Sequence, residues 1–378
     1  MNVLLSLLQK SPDYMQLLQA VEAKQAAAVS GLSQAPRSHV LAALHEHSGR
    51  PLVAVCQDDL AASRLASELG AFLGEQPPVL PSRELTLAGA IGVSRQWEQK
   101  RLRLLYALAQ GQVPVLVTSL DALLLRTMPR EVLFSASVRL RCGAEYNVDD
   151  LVARLTRAGY TRSSLVEGVG QFALRGGILD VYSPACENPL RAEFFGDELD
   201  TMGYFDPITQ RRTENVEEAV LLPVAETEAH LHPQGTAGLC EDLRASIARQ
   251  QRRKTPNRAL IDTLQKDCEA LENETLFASA DRYMALIYPE FTTAAAYLSQ
   301  EAVVAFCDHG NLQRAEKEKA EEFGLLLDSF LTSGTLFGEL CDYYGSIEDL
   351  AAQLRGRAVV YCDGFLAARY PERLPPKK

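Results

Sequence analysis

The sequence predicts an α/β protein in which a parallel-sheet domain is interrupted by an inserted α+β module with an antiparallel sheet. Three observations predict this arrangement. Short apolar runs alternate with helical patterns over roughly the first third of the chain. A glycine-punctuated stretch with period-two alternation follows from 160 to 222. Patterns of buried strands return after 300, so the last part of the chain is expected to complete the first sheet.

The first predicted domain, residues 1–135, alternates strands and helices. Residues 51–59, PLVAVCQDD, form an apolar run typical of a buried strand, and 60–74 have helical spacing that ends at a glycine. The segment 94–111 predicts a further helix, and 113–124 predict a strand that leads into a helix. Strands that alternate with helices build parallel sheets whose two faces are covered.

The second predicted domain, residues 136–222, has a different pattern of predicted secondary structure. A helix is expected at 149–159, and the tight glycine turns that follow indicate antiparallel strands. The third segment, 223–378, is mostly helical, but apolar runs within 301–312 and 356–366 predict two more buried strands. Two α/β segments on either side of an unlike module suggest one domain that carries an insertion.

Charge and composition exclude several classes of function. The 378 residues carry 38 Lys and Arg against 49 Asp and Glu, a formal net charge of -11. Wholesale nucleic-acid binding is not expected, because it requires clustered basic residues. The eight cysteines show no C-x-x-C spacing and the histidines no shared helix face, so no metal site is predicted. Neither a signal peptide nor a membrane span is predicted, and the cytoplasm is the expected compartment.

Residues 31–38, GLSQAPRS, resemble a phosphate-binding loop in which two positions have changed. The loop motif reads G-x-x-x-x-G-K-[ST], and Gly31 and Ser38 stand in register with its ends. Pro36 replaces the second glycine, which removes a backbone N–H and fixes φ near about −65°. Arg37 replaces the lysine with a longer, planar cation. Both changes are expected to weaken phosphate binding.

The other half of a nucleotide site would be an acidic residue at a strand end. In VVAFCDHGN, 303–311, Asp308 follows the apolar run and His309 stands where a catalytic glutamate is usual. Two defects in one site favour a nucleotide-binding fold that has lost its reaction. The alternative is an active P-loop NTPase or helicase that uses Arg37, Ser38 and Asp308.

The strand LRAEFF, 190–195, combines two unlike faces. Because side chains alternate across a strand, one face is apolar, whereas the other carries Arg191, Glu193 and Phe195. Arg175, one strand earlier, could join the second face. An aromatic residue beside arginine on a polar sheet face is a common composition of interaction hot spots. The alternative is an ordinary exposed aromatic, with the arginine stem packed over apolar neighbours.

Several stretches resemble a known family. GQFALRGGILDVYSP (170–184) and LRAEFFGDELDTMGYFDPITQRR (190–212) closely resemble the transcription-repair coupling factors, as do VSRQWEQKRL, VLVTSLDALL and LIYPE. The resemblance covers nearly the whole chain and implies similarity to the excision-repair protein UvrB. It implies a RecA-like (P-loop-type), degenerate domain 1, made of domain 1a and domain 1b, with an inserted domain 2. The three predicted segments correspond to domains 1a, 2 and 1b in that order.

The resemblance also implies a partner and its contact residues. Domain 2 of the family binds UvrA, the damage-recognition ATPase, and the matching positions here are Arg175, Arg191 and Phe195. Replacing Arg191 or Phe195 by alanine is expected to weaken UvrA capture and leave the thermal melt nearly unchanged. No tyrosine-rich hairpin of the UvrB type is expected after residue 87, so damage verification by hairpin insertion is not expected.

The implied role is recruitment of nucleotide excision repair to RNA polymerase stalled at DNA lesions. The family's degenerate nucleotide site agrees with Pro36, Arg37 and His309, so these 378 residues are expected to be non-catalytic and to bind no cofactor. A monomer is also expected. The resemblance places the ATP-dependent translocase motor, the polymerase-binding module and a C-terminal domain that masks domain 2 beyond residue 378. Direct contact between domain 1 and DNA is a further alternative.

Overall fold

The computed structural model describes residues 3–87, 96–273, 277, 280–365 and 370–371. No tyrosine-rich hairpin is expected after residue 87, and residues 88–95 of that segment lie outside the described ranges. The strands are β1 (Ala26–Ser30), β2 (Leu52–Cys56), β3 (Val79–Leu80), β4 (Val115–Ser119), β5 (Val138–Arg141), β6 (Thr161–Arg162), β7 (Gln171–Arg175), β8 (Ile178–Val181), β9 (Leu190–Phe195), β10 (Glu198–Phe205), β11 (Arg212–Asn215), β12 (Glu218–Leu221), β13 (Val303–Cys307) and β14 (Ala358–Asp363).

Helices connect and cover these strands. The α-helices are α1 (Val3–Leu7), α2 (Pro12–Glu22), α3 (Gln34–Ser48), α4 (Asp59–Leu73), α5 (Gln96–Ala109), α6 (Leu120–Leu124), α7 (Arg130–Ala136), α8 (Val148–Arg157), α9 (Gly235–Gln251), α10 (Arg258–Glu272), α11 (Met284–Ile287), α12 (His309–Ser333) and α13 (Ile347–Gln353). In the part of the chain that the structure describes, no helix combines the length and apolarity needed to cross a bilayer.

A six-stranded parallel sheet forms the larger core, in the order β1-β14-β13-β2-β4-β3. β14 pairs with β1 on one side and with β13 on the other, so the last strands of the chain lie inside the first sheet. The predicted fold class is therefore confirmed: an α/β parallel-sheet domain carries an inserted module with an antiparallel sheet. The predicted domain limits at 135 and 222 stay predictions.

Alternate side chains of the parallel strands enter two separate cores. In β2, Val53 and Val55 pack into one core, whereas Ala54 and Cys56 pack into the other. Helices α2, α3 and α4 cover the second core, and α5 with the α9–α10 pair covers the first. Because both faces of the sheet are buried, its strands are continuously apolar instead of alternating.

The inserted module is built on a second six-stranded sheet, in the order β11-β10-β9-β8-β7-β6. Its pairings are antiparallel except for the short parallel pair β6–β7. Leu190 and Ala192 of β9 pack with Leu151 and Leu155 of helix α8, so one face of the sheet is covered. β5 and β12 pair separately and bring the entry and exit strands of the module together.

A buried carboxylate joins the exit of the module to the parallel-sheet domain. Glu226 follows β12 and is fully buried. Its carboxylate lies 2.7 Å from Arg101 Nε and 3.7 Å from Arg83 Nη1. The Thr127 hydroxyl also donates to it. The backbone N–H of Glu226 donates to Glu98 Oε1 at 2.7 Å, so a second acidic side chain enters the cluster.

Replacing Glu226 by alanine should lower the free energy of unfolding by about 3–5 kcal/mol, because Arg101 would stay buried without its carboxylate. Urea denaturation followed by circular dichroism measures the change. Glu218→Ala is the matched control, since Glu218 pairs with Arg141 at 3.4 Å on the surface and should contribute less than about 1 kcal/mol. Equal losses in the two variants would contradict this role of Glu226.

Glu98 should make the stability of this cluster depend on pH. Burial raises the pKa of Glu98 from 4.5 to about 7, with Arg83 acting in the opposite direction. The folded state therefore binds the Glu98 proton more tightly than the unfolded state does. The stability that this proton contributes is lost as pH rises through about 7.

Glu98→Gln removes the titration, because a glutamine is always neutral and its amide oxygen can still accept from Glu226. We expect this variant to melt at a higher temperature than the parent above about pH 7, with the difference shrinking as pH falls towards 4.5. Thermal melts across a pH series provide the measurement. A difference that does not vary with pH would exclude the assignment.

Candidate functional sites

The loop after β1 is shorter than a phosphate-binding loop. Helix α3 begins at Gln34, so only Gly31, Leu32 and Ser33 separate it from the strand. Pro36 lies in the first turn of the helix, where its missing N–H does not break a helical hydrogen bond. Because the residues between Gln34 and Pro36 are helical, they cannot wrap around a phosphate as an extended cradle does.

Polar groups of this loop and of helix α3 form hydrogen bonds within the protein. The N–H of Gly31 donates to the carbonyl of Gly364 at 3.1 Å, and that of Leu32 to the carbonyl of Asp363 at 3.2 Å. Ser38 is fully buried, and its hydroxyl donates to Glu68 Oε2 at 2.5 Å. The serine that would contact a magnesium ion is therefore held by helix α4.

The two halves of the predicted nucleotide site do meet. Asp308 follows β13 in a left-handed conformation with φ 69°. Its carboxylate lies 4.0 Å from the Arg37 guanidinium. A positive side chain thus faces the acidic strand end, where the NTPase alternative needs a metal ion. This ion pair joins the first turns of α3 to the start of α12.

His309 is fully buried beside aromatic rings. Its ring centroid lies 5.0 Å from that of Tyr361 and 5.2 Å from that of Tyr370. The backbone N–H of His309 donates to Asp363 Oδ1 at 2.7 Å, and the Tyr370 hydroxyl donates to Asp363 Oδ2 at 2.6 Å. Sequence reasoning missed Asp363, although it ends an apolar strand just as Asp308 does.

The polar face of the inserted sheet brings together residues from three strands. In the pairing register, Arg175 of β7 lies opposite Ile178, and Ile178 lies opposite Glu193 of β9. Asp180 of β8 lies opposite Arg191 of β9. Cross-strand partners point to the same side of a sheet. We call this face, defined by Arg175, Ile178, Asp180, Arg191, Glu193 and Phe195, the arginine face.

Asp180 holds both arginines of this face. The Asp180 carboxylate is fully buried and accepts from Arg191 Nε at 2.7 Å and Nη2 at 2.9 Å. It also accepts from Arg175 Nη2 at 2.8 Å. The hydrogen bond to Asp180 raises the pKa of Arg191, and the guanidinium lies 4.6 Å from the centroid of the Phe205 ring. Two contacts with Asp180 and one with Phe205 fix the orientation of Arg191.

Sequence reasoning missed Asp180. A signal was present, because a carboxylate within the apolar strand ILDV demands a buried cationic partner. The arginine that pairs with Asp180 is determined by the register between β8 and β9, and the sequence of either strand alone does not predict that register.

Phe195 lies at the end of the arginine face and is 83% exposed. It precedes the turn at Gly196 and Asp197, and the turn at Gly176 and Gly177 lies at the same end of the sheet. The two turns are close, since the Phe194 N–H donates to the carbonyl of Gly177 at 2.7 Å. A Cβ at Gly177 would lie 2.6 Å from the Phe194 oxygen, so a glycine is required there.

The arrangement suits recognition of another macromolecule. Ile178 is 38% exposed and Arg175 keeps 52% of its side chain exposed, so an aliphatic and a cationic group are accessible on the same face as the phenyl ring. Fixed arginines and exposed aromatic rings lose little conformational entropy on binding, and such groups dominate interface energies.

Comparison with known proteins identifies the module. The UvrB interaction domain matches residues 138–226. A transcription-repair-coupling factor of Myxococcus xanthus is 38% identical over 221 residues, which are 56% of this chain and 18% of that protein. The factor of Staphylococcus aureus strain USA300 is 26% identical over 373 residues, 97% of this chain and 31% of that protein.

The chain thus spans about a third or less of the length of these relatives. The match to the family includes every residue of the arginine face. The resemblance predicted from the sequence is confirmed: the chain is similar to the transcription-repair-coupling factors, and its residues 138–226 match the UvrB interaction domain.

Proposed function

We propose that the arginine face docks UvrA, so that this chain recruits nucleotide excision repair to a transcription complex stalled at DNA damage. The observation that carries the proposal is the exposed Phe195 on the same sheet face as two arginines that one buried carboxylate orients, within a module that matches the UvrB interaction domain. Arg175, Arg191 and Phe195 are the proposed contact residues.

The chemistry of this face favours a partner surface that is acidic around an apolar pocket. Arg175 directs one contact to Asp180 and keeps the rest of its guanidinium exposed for a carboxylate or a backbone carbonyl. Phe195 would fill the pocket. Asp180 acts as a positioning residue, since it sets the direction of both arginines without reaching the surface.

The parallel-sheet domain serves in this proposal as a non-catalytic scaffold that needs no cofactor. The short loop after β1, the buried Ser38 and the pair between Arg37 and Asp308 support this role. The translocase motor, the contacts with RNA polymerase and DNA, and the domain that masks the arginine face belong to the rest of the parent protein in this proposal.

Phe195→Ala and Arg175→Ala should each weaken the binding of purified UvrA by about 30-fold, since truncating a hot-spot residue removes about 2 kcal/mol or more. Phe195 is 83% exposed, so Phe195→Ala should keep the melting temperature of the parent. Arg175→Ala removes one of the three hydrogen bonds from arginine to the buried Asp180, so its melting temperature should fall slightly, and by less than that of Arg191→Ala. Biolayer interferometry with immobilised chain measures the affinity.

Ile208→Ala is the matched control for Phe195. Ile208 is 89% exposed and lies in the turn between β10 and β11, at the opposite end of the sheet. This variant should bind UvrA normally. Undiminished affinity in both the Phe195 and Arg175 variants would remove the arginine face as the docking site.

Arg191→Ala tests a different property, because it leaves the buried Asp180 with Arg175 as its remaining arginine partner. Its melting temperature should therefore fall, in contrast to the expectation formed from the sequence. Loss of UvrA binding in this variant counts for the docking site only if a folded fraction is confirmed by circular dichroism.

We also expect no micromolar binding of Mg–ATP to this chain. Isothermal titration calorimetry tests this directly, because the Arg37–Asp308 pair would have to open to admit a triphosphate. Micromolar affinity, or ATP turnover that disappears in Asp308→Ala, would instead support the NTPase alternative. The titration is independent of the UvrA measurements.

A further inference from the structure

Two cysteines meet inside the helical pair formed by α9 and α10. Cys240 of α9 and Cys268 of α10 are both buried, and the Cys268 thiol donates to the Cys240 carbonyl at 3.5 Å. Glu272 lies one turn after Cys268 on the same face of α10. The two sulfur atoms and a Glu272 oxygen lie within 4.8 Å of one another.

We propose that Cys240, Cys268 and Glu272 bind a thiophilic divalent cation of the zinc class, with water as the fourth ligand. Two thiolates and a carboxylate are ligands that zinc accepts in tetrahedral sites. Ligands at about 2.3 Å from a tetrahedral ion lie roughly 3.8 Å apart, so movements of about 1 Å would close the set.

The surroundings make the site open on one side. Both cysteines lie in the apolar core of the helical pair, with Leu243 and Leu264 around them. Glu272 is exposed and forms an ion pair with Arg244. Arg244 is 59% exposed, so it can return to solvent when Glu272 turns towards a cation, and such a surface pair contributes little stability.

Binding must release protons from the thiols. Burial raises the pKa of Cys268 to about 11 and also raises the pKa of Cys240. Each S–H bond breaks, its proton passes to solvent, and the sulfur lone pair forms a bond to the cation; no redox change occurs. Affinity should therefore increase as pH rises.

Spacing along the chain predicts no metal site, because the cysteines are 28 positions apart. The antiparallel packing of α9 and α10 brings them together. The inference does not depend on the docking function, since the residues lie in the α/β part of the chain and not in the module matched at 138–226.

Cadmium titration of the whole chain, in a phosphine reductant that keeps thiols reduced, tests the proposal. The parent should show a thiolate-to-cadmium absorption band that saturates at one equivalent, and zinc should abolish it by competition. Cys268→Ser and Cys240→Ser should each lose this band. Cys142→Ser and Cys341→Ser, at partly exposed cysteines, should keep it.

Glu272→Gln removes a ligand without changing the core, because the Glu272 side chain is exposed, so it keeps the test informative if the cysteine variants misfold. This variant should fold normally and bind cadmium at least about tenfold more weakly, since loss of even an outer-shell partner typically costs that much. The proposal is overturned by an absent band in the parent, or by a band that survives in both cysteine variants. A Cys240–Cys268 disulfide formed without reductant, with no band under reduction, would overturn it as well.

Discussion

Burying a carboxylate requires a matching cation, and this constraint organises both the junction of the inserted module and its sheet. Glu226 is buried where the module rejoins the parallel-sheet domain, and Arg101 and Arg83 approach it there. Asp180 is buried within the sheet of the module and draws Arg175 and Arg191 to one face. The first cluster fixes the module to its support, and the second fixes the side chains that the module presents.

The parallel sheet retains the layout of a nucleotide-binding domain with different contacts at its carboxyl edge. Arg37 faces Asp308, and Asp363 accepts from the His309 backbone and from Tyr370. These contacts join α3 to the start of α12, and α12 to the end of β14, through protein groups. These contacts support the proposed role of the domain as a scaffold.

The sequence correctly predicted those features of the fold whose signal lies within one segment. Apolar runs predicted β2 and β13, and the period of two placed Arg191 and Phe195 on the same side of β9. It failed where the signal depends on pairing between distant segments. The partner of Asp180 follows from the register of β8 and β9, and the meeting of Cys240 with Cys268 follows from helix packing. The start of α3 at Gln34 was also not predicted, because the phosphate-loop motif implies a loop at these positions. A proline in a first turn is nevertheless compatible with a helix.

The position of β14 has a consequence for synthesis on the ribosome. β1 emerges early, yet the strand that pairs with it, β14, ends at Asp363. The module at 138–226 has its own core and can fold as soon as it leaves the exit tunnel. Domain 1 must wait with β1 unpaired until more than 300 further residues have been translated. A ribosome that stops before β14 would therefore release a chain whose arginine face is formed but whose parallel sheet is not.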